Sequence, residues 1–255
     1  MTRGTIAAAL ALAMFGAAGC GGSIQEAGVS GVASYERGRE AFDRRDYVDA
    51  IADLKAYVEQ FPGTENTDDA LFYLGESYFG LKDYALAAGQ YDRLIRDFPA
   101  SPYQPDGLYK LARCDDLQSH KAPLDQTETL RAISRYQSFL ELYPEHARAK
   151  EARERLTVLT DRQAEKRWRN GRLYVRLKSY DAAIFYFESV MKEYPNSRWA
   201  GESALLLADV YQKRGLLEEA AAVLSRVDQI EGAPAWLKSR AKQRPREVQS
   251  AGRKP

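Results

Sequence analysis

The chain has 255 residues, of which 45% are hydrophobic, enough for one large domain or an extended array of repeats. Its 37 Lys and Arg residues nearly balance its 36 Asp and Glu residues, which argues against nucleic acid as a partner. After Cys20, Cys114 is the remaining cysteine, so it has no partner for an intramolecular disulfide. The fold must therefore depend on packing, and Cys114 is predicted to be a small core residue.

The first residues have the layout of a signal peptide, which we assign to residues 1–19. Arg3 supplies positive charge, and residues 6–15 form an apolar stretch that is too short to cross a bilayer. Small residues then lead to Cys20.

The run Ala17-Ala18-Gly19-Cys20 resembles the lipobox of bacterial lipoproteins, which are cut before a cysteine that is then acylated. It departs from that pattern at Ala17, where leucine is usual. The resemblance predicts a lipid anchor at Cys20, and ordinary secretion with an incidental cysteine is the alternative. Residues 20–32, rich in glycine, are predicted to be a flexible tether.

The clearest repeating unit lies in residues 68–99. Two stretches with apolar residues at helical spacing are separated by Lys82-Asp83, and the second ends at Phe98-Pro99, because proline cannot continue a helix. Gly75 and Ala87 are small residues on the two helices, twelve positions apart. We expect the two helices to approach each other closely there.

The same spacing recurs along the chain and indicates tetratricopeptide repeats. The other small-residue pairs are Gly38 and Ala50, Gly171 and Ala183, Ala208 and Ala220, and, with eight extra residues between them, Ala112 and Ala132. Further aromatic-proline ends are Phe61-Pro62, Tyr143-Pro144 and Tyr194-Pro195. We therefore predict an all-α fold, a right-handed α-solenoid of five TPR-like helix-turn-helix repeats.

Repeats one to three are assigned to residues 33–145 and repeats four and five to residues 146–231. The stretch from His146 to Leu177 contains no proline, so one long helix is predicted to join repeats three and four. Residues 232–255 are rich in Lys and Arg and are predicted to be a disordered tail.

The segment from Asp115 to Gln126 interrupts the repeat spacing and is predicted to be a loop. Insertions of this kind often carry partner contacts, and a tolerated surface excursion is the equal alternative.

Catalytic patterns are missing from the sequence. His120 and His146 have no metal-type spacing to each other or to Cys114, and no nucleophile elbow, phosphate loop or dinucleotide fingerprint is present. We predict that the protein is not an enzyme and uses no metal or cofactor.

The order of these features resembles the BamD family of outer membrane protein assembly factors. The resemblance is carried by the lipobox, the aromatic-proline ends, the step Asp125-Gln126-Thr127 and the long joining helix. It departs at Gln163-Ala164 and Arg167, where the family has a different pattern. It implies a lipoprotein on the periplasmic face of the outer membrane, which receives unfolded β-barrel precursors and works with the barrel protein BamA.

The repeat register also predicts site residues. The side chains that should line a concave groove are Tyr35, Arg39, Phe42, Phe72, Glu76, Phe79, Tyr109, Arg113 and Asp116. An aromatic wall of this kind suits an extended apolar segment, and Arg39 and Arg113 could receive carboxylates. The alternative is that these aromatic rings pack between neighbouring repeats. By resemblance, Trp168 and Arg172 would face BamA.

Two other functions remain open at this point. One is a TPR scaffold lipoprotein for peptidoglycan synthesis or pilus assembly, and the other is a soluble periplasmic chaperone with no anchor.

Overall fold

A computed structural model describes residues 22–227, 235–236 and 238–243. The described part of the chain contains ten long helices and no strand. They are α1 (Gly22–Asp43), α2 (Tyr47–Gln60), α3 (Thr67–Gly80), α4 (Tyr84–Asp97), α5 (Gln104–Gln118), α6 (Thr127–Leu142), α7 (Ala149–Arg176), α8 (Tyr180–Glu193), α9 (Arg198–Lys213) and α10 (Leu217–Val227).

Consecutive helices form five hairpins, in which each helix packs against the next. The first helices of neighbouring hairpins also meet, since α1 contacts α3 and α7 contacts α9. The predicted all-α solenoid of five repeats is therefore confirmed, and so is the long helix α7 between repeats three and four. The handedness of the solenoid stays a prediction.

The turns inside the first, second, fourth and fifth hairpins share one conformation. Each has a residue with positive φ just after the first helix, namely Arg45, Lys82, Lys178 and Gly215. The next residue donates its backbone N–H to a carbonyl five positions back, for example from Asp83 to Tyr78 at 2.9 Å. This bond satisfies a carbonyl that the helix end would otherwise leave free.

Glycine sets the distance between the two helices of a hairpin, but its neighbour is not the predicted alanine. A Cβ atom on Gly75 would lie 2.7 Å from Tyr91, and one on Gly171 would lie 2.6 Å from Phe187. Tyr91 and Phe187 follow Ala87 and Ala183 by four residues, one helical turn later. The glycine thus makes room for a large buried ring.

Two boundaries predicted from the sequence need correction, that of the tether and that of the inserted loop. Residues 22–32 belong to α1 and are not a flexible tether, because Gly31 lies against the ring of Phe61 and so acts as a small packing residue. Helix α5 continues to Gln118, so Asp115 and Asp116 are helical and the loop is eight residues, 119–126.

The predicted disordered tail is also wrong in part. Residues 238–243 are helical, and Ala241 is only 2% exposed because it packs on the core of the last hairpin. Cys114, by contrast, is fully buried as predicted. Within the described residues, no helix is both long and apolar enough to span a membrane.

Candidate interaction surfaces

The first candidate surface is formed by α1 and α3. Arg39 of α1 donates to the carboxylate of Asp69 on α3 at 2.9 Å, and its guanidinium lies 3.4 Å from the centre of the Tyr73 ring. The hydroxyl of Tyr35 donates to the same carboxylate. Burial raises the pKa of Asp69, with a hydrogen bond from Tyr103 acting in the opposite direction. The arginine predicted to receive a guest carboxylate is therefore already paired.

Aromatic rings also join the first hairpin to the second, beside the Arg39–Asp69 ion pair. Phe42 meets Tyr73 edge-on, with ring centres 4.9 Å apart. Phe72 stacks on Tyr103, with ring centres 4.6 Å apart. These side chains are half-buried, so each ring packs between repeats and still presents part of its surface to solvent.

Glu76 and Phe79 lie farther along α3 and are tied to α4 and α5. Glu76 accepts a hydrogen bond from Tyr91 at 2.6 Å and pairs with Lys110 at 2.7 Å. The ammonium group of Lys110 also lies 4.6 Å from the centre of the Phe79 ring. We call the half-buried set Tyr35, Arg39, Phe42, Phe72, Tyr73, Glu76, Phe79 and Tyr103 the aromatic surface.

The third repeat does not extend this surface as predicted. Tyr109 is only 2% exposed, because it packs on Tyr136 and Phe139 of α6 and shares a core cluster with Ala152 and Leu159 of α7. Arg113 pairs with Asp116 at 2.9 Å. Neither Tyr109 nor Asp116 can line an open groove, and Arg113 is not free to receive a guest carboxylate.

Asp116 instead fastens α5 to α6 and α7. Its side chain is 1% exposed and accepts two hydrogen bonds from Arg155, at 2.7 and 2.8 Å, and one from Tyr136. Burial raises the pKa of Asp116, but hydrogen bonds and charge from Arg155, with Arg113 assisting, outweigh it, so the pKa is below its usual value. This burial was not predictable from the residue pattern, since charged helix residues usually face solvent.

Its neighbour Asp115 behaves differently. It is bound by Arg135 at 2.5 Å and by Arg131 at 3.4 Å, both on α6. Burial raises the pKa of Asp115 and outweighs these two arginines. Asp115 thus attaches α5 to α6, whereas Asp116 attaches α5 to both α6 and α7.

The loop of residues 119–126 is held against α7 by polar contacts. The Gln163 amide donates to the side-chain oxygen of Gln126 at 2.9 Å, and both residues are buried. Arg162 donates to Ser119 at 2.6 Å, and Lys166 donates to the carbonyl of Leu124 at 3.0 Å. The loop therefore stabilises the position of α7, and Gln163 contributes to this contact through its hydrogen bond with Gln126.

The second candidate surface lies on α7 in the fourth repeat. Trp168 packs on Trp199 of α9, with ring centres 4.5 Å apart, and the guanidinium of Arg172 lies 4.6 Å from the centre of the Trp168 ring. Arg169, Arg172 and Arg176 line a cavity of about 210 Å³. We call these three arginines the arginine strip.

The predicted site residues therefore fall into separate groups. The structure brings together those on α1 and α3, buries Tyr109, and places Trp168 and Arg172 on α7 in the fourth repeat. Sequence analysis missed Tyr73, Tyr103, Arg169 and Arg176. For the arginines a signal was present, because no acidic residue occurs between Glu165 and Asp181.

No cluster of three or more potential metal ligands is found among the residues described by the structure. Stacked hairpins with closely packed small residues and two partly open side-chain surfaces define a helical-repeat protein of the tetratricopeptide type. The sequence model of the YfiO family, described as outer membrane lipoprotein, matches residues 29–226. The chain belongs to this family.

Several relatives bear the name outer membrane protein assembly factor BamD. The chain is 27% identical to that of Caulobacter vibrioides over 186 residues, which are 73% of this chain and 61% of the relative. It is 21% identical to that of Pasteurella multocida over 233 residues, 88% of this chain and 90% of the relative. The chain thus spans less than two thirds of the Caulobacter protein.

Two solved structures of helical-repeat proteins illustrate the likeness, and both are distant. A crystal structure of MamA protein is 17% identical with a TM-score of 0.38, over 80% of this chain and 93% of that one. The TPR2AB domain of yeast Sti1, in a complex with pHSP90, is 14% identical with a TM-score of 0.42, over 88% of this chain and 84% of that one. The all-α repeat fold is shown by the packing of the ten helices themselves.

Proposed function

We propose that this protein is an outer-membrane lipoprotein of the β-barrel assembly machinery. It binds unfolded outer membrane protein precursors and docks to a BamA-like barrel protein, which folds and inserts them. The observation that carries this proposal is the match to the YfiO family, which covers parts of all five hairpins. The matched relatives are themselves named as assembly factors of outer membrane proteins.

The aromatic surface supports the precursor-binding part of the proposal. Phe42, Phe72 and Phe79 are half-buried rings held in place by neighbouring repeats, so they offer a rigid apolar surface on two adjacent first helices. An extended polypeptide with alternating apolar side chains can lie across such a surface. Because the rings are already ordered, binding costs little additional side-chain entropy.

The anchoring part of the proposal concerns Cys20, which lies outside the described residues. An acylated Cys20 would hold the protein on the periplasmic face of the outer membrane, since two or three acyl chains suffice for stable attachment. We expect radiolabelled palmitate to enter the wild-type protein and not the Cys20→Ala variant. Equal labelling of both proteins would reject this site.

Site-specific photocrosslinking in cells tests precursor binding. A photoreactive residue at Phe79 is expected to capture β-barrel precursors. A residue at Leu86, which is 52% exposed on α4 of the same hairpin, is the matched control and is expected to capture none. Pull-down of the whole protein should recover a BamA-like barrel protein. Recovery of cell-wall synthases or pilus components alone would reject the assembly function.

A further inference from the structure

The carboxyl-terminal half of α7 has a one-sided charge. Residues 166–178 include several Lys and Arg residues and no acidic residue. Some of these charges are already used: Arg167 pairs with Glu193, and Lys166 binds the loop. Arg169 pairs with Glu165 of its own helix at 2.6 Å through two of its three side-chain nitrogens, so its third nitrogen keeps two N–H groups for another acceptor. The charges that remain on the arginine strip are those of Arg172 and Arg176, and they determine what it can bind.

Arg172 and Arg176 have no carboxylate partner within the described part of the chain. Glu202 on α9 lies thirty residues after Arg172, the same separation as between Asp69 and Arg39, yet no ion pair joins Glu202 to Arg172 among the described residues. The pairing that neutralises Arg39 in the first repeat is therefore missing in the fourth.

The cavity of about 210 Å³ brings these two arginines together with Arg169. Like charges that share a cavity repel each other, and a bound anion removes that repulsion. Trp168, held by Trp199, supports the flat face of the Arg172 guanidinium, which leaves the edge of the group for hydrogen bonds. This arrangement favours a planar, two-oxygen acceptor, such as a carboxylate.

The length of the arginine strip indicates more than one carboxylate. Arg169 and Arg176 are seven residues apart on one face of α7, which corresponds to a distance of about 10 Å along the helix. A peptide in the polyproline II conformation rises about 3.1 Å per residue and completes a turn every three residues, so side chains three residues apart lie on the same side of the peptide, about 9 Å from each other. Acidic side chains three residues apart would therefore reach both ends of the strip, whereas a single phosphate would not.

We propose that the arginine strip binds an acidic polypeptide segment with carboxylates about three residues apart, carried by the docking partner. This deepens the proposed function and rests on it for the identity of the partner. The chemistry of the site is argued from Arg169, Arg172 and Arg176 themselves.

The test uses the purified mature protein and a fluorescent synthetic peptide with glutamates at every third position, measured by fluorescence polarisation. The variant Arg172→Gln/Arg176→Gln is expected to raise the Kd about ten-fold or more. The control Arg44→Gln/Arg96→Gln removes the same charge from exposed arginines of the first two repeats and should change the Kd less than about two-fold. Far-UV circular dichroism checks that both variants are folded.

Three results would overturn the proposal: equal weakening by both double variants, equal binding of a glutamine version of the peptide, or strip-dependent binding to phosphatidylglycerol vesicles in place of the peptide. The pull-down separates this proposal from the assembly function. A recovered BamA-like protein with no strip-dependent peptide binding rejects only the anion site. Strip-dependent binding with no BamA-like protein recovered supports the site and rejects the assignment of its partner.

Discussion

The aromatic surface and the arginine strip occupy first helices of the same repeat scaffold, but they differ in how their charges are paired. In the first half, Arg39 is paired with Asp69 and Glu76 with Lys110, in each case through the first helix of the next repeat. In the fourth repeat, Arg172 and Arg176 have no such partner within the described residues. The first surface therefore offers rings with neutralised charges, and the second offers net positive charge.

This difference shows that a shared repeat can carry two kinds of recognition. Contacts through neutral rings depend on buried apolar area and respond weakly to salt. Contacts through unpaired arginines are screened as salt rises, over a distance of about 8 Å at physiological ionic strength. On the function proposed above, a precursor and a docking partner would meet this scaffold at sites that differ in chemistry.

The largest effect on stability is expected at the joint between the two halves, where Asp116 of α5 binds Arg155 of α7. Asp116→Ala leaves Arg155 and Arg113 without their buried partner and removes one of the polar links between α5 and α7. Because Arg155 is about one-third exposed, we expect a loss of about 3 kcal/mol in the free energy of unfolding, measured by urea denaturation. Asp92→Ala, which breaks an exposed pair with Arg96, should cost less than about 1 kcal/mol. Equal losses would show that the joint does not depend on Asp116.

A matched pair of substitutions tests whether hairpins in the two halves are packed in the same way. Gly75→Val and Gly171→Val each force a side chain into a buried ring, so both should lower the free energy of unfolding by about 2 kcal/mol. Gly89→Val is the control, since nothing lies within 4 Å of that position. A large loss of stability at Gly75 with none at Gly171 would contradict the conclusion that the second and fourth hairpins pack in the same way.

The pH dependence of stability gives a smaller effect at the same joint. The pKa of Asp116 is lowered in the folded protein, so its stabilising contribution is present above the unfolded pKa of about 3.9 and is lost as pH falls through the folded pKa. The difference in unfolding free energy between wild type and Asp116→Asn should therefore shrink below about pH 4. A difference that grows on acidification would mean that the folded pKa of Asp116 is raised.

Much of the fold followed from the sequence because small residues and aromatic-proline ends recur at fixed spacing. The spacing predicted the hairpins, the lack of proline between His146 and Leu177 predicted the long helix, and the usual behaviour of an unpaired cysteine predicted the burial of Cys114. It could not identify which neighbour each polar side chain meets, so the burial of Asp116 and the pairing of Arg39 were missed. Periodicity also assigns residues to a face without showing what covers that face, which is why Tyr109 was placed in an open groove.

Photocrosslinking at Phe79 and at Leu173, each at low and high salt, tests the contrast between the two surfaces most directly, because Leu173 is 41% exposed beside Arg169 and Arg176 and its replacement leaves the arginine strip intact. Capture of precursors at Phe79 should persist at high salt, because the charges beside that ring are already paired. Capture of a BamA-like partner at Leu173 should fall sharply as salt rises. The same captured protein with the same salt response at both positions would contradict the account.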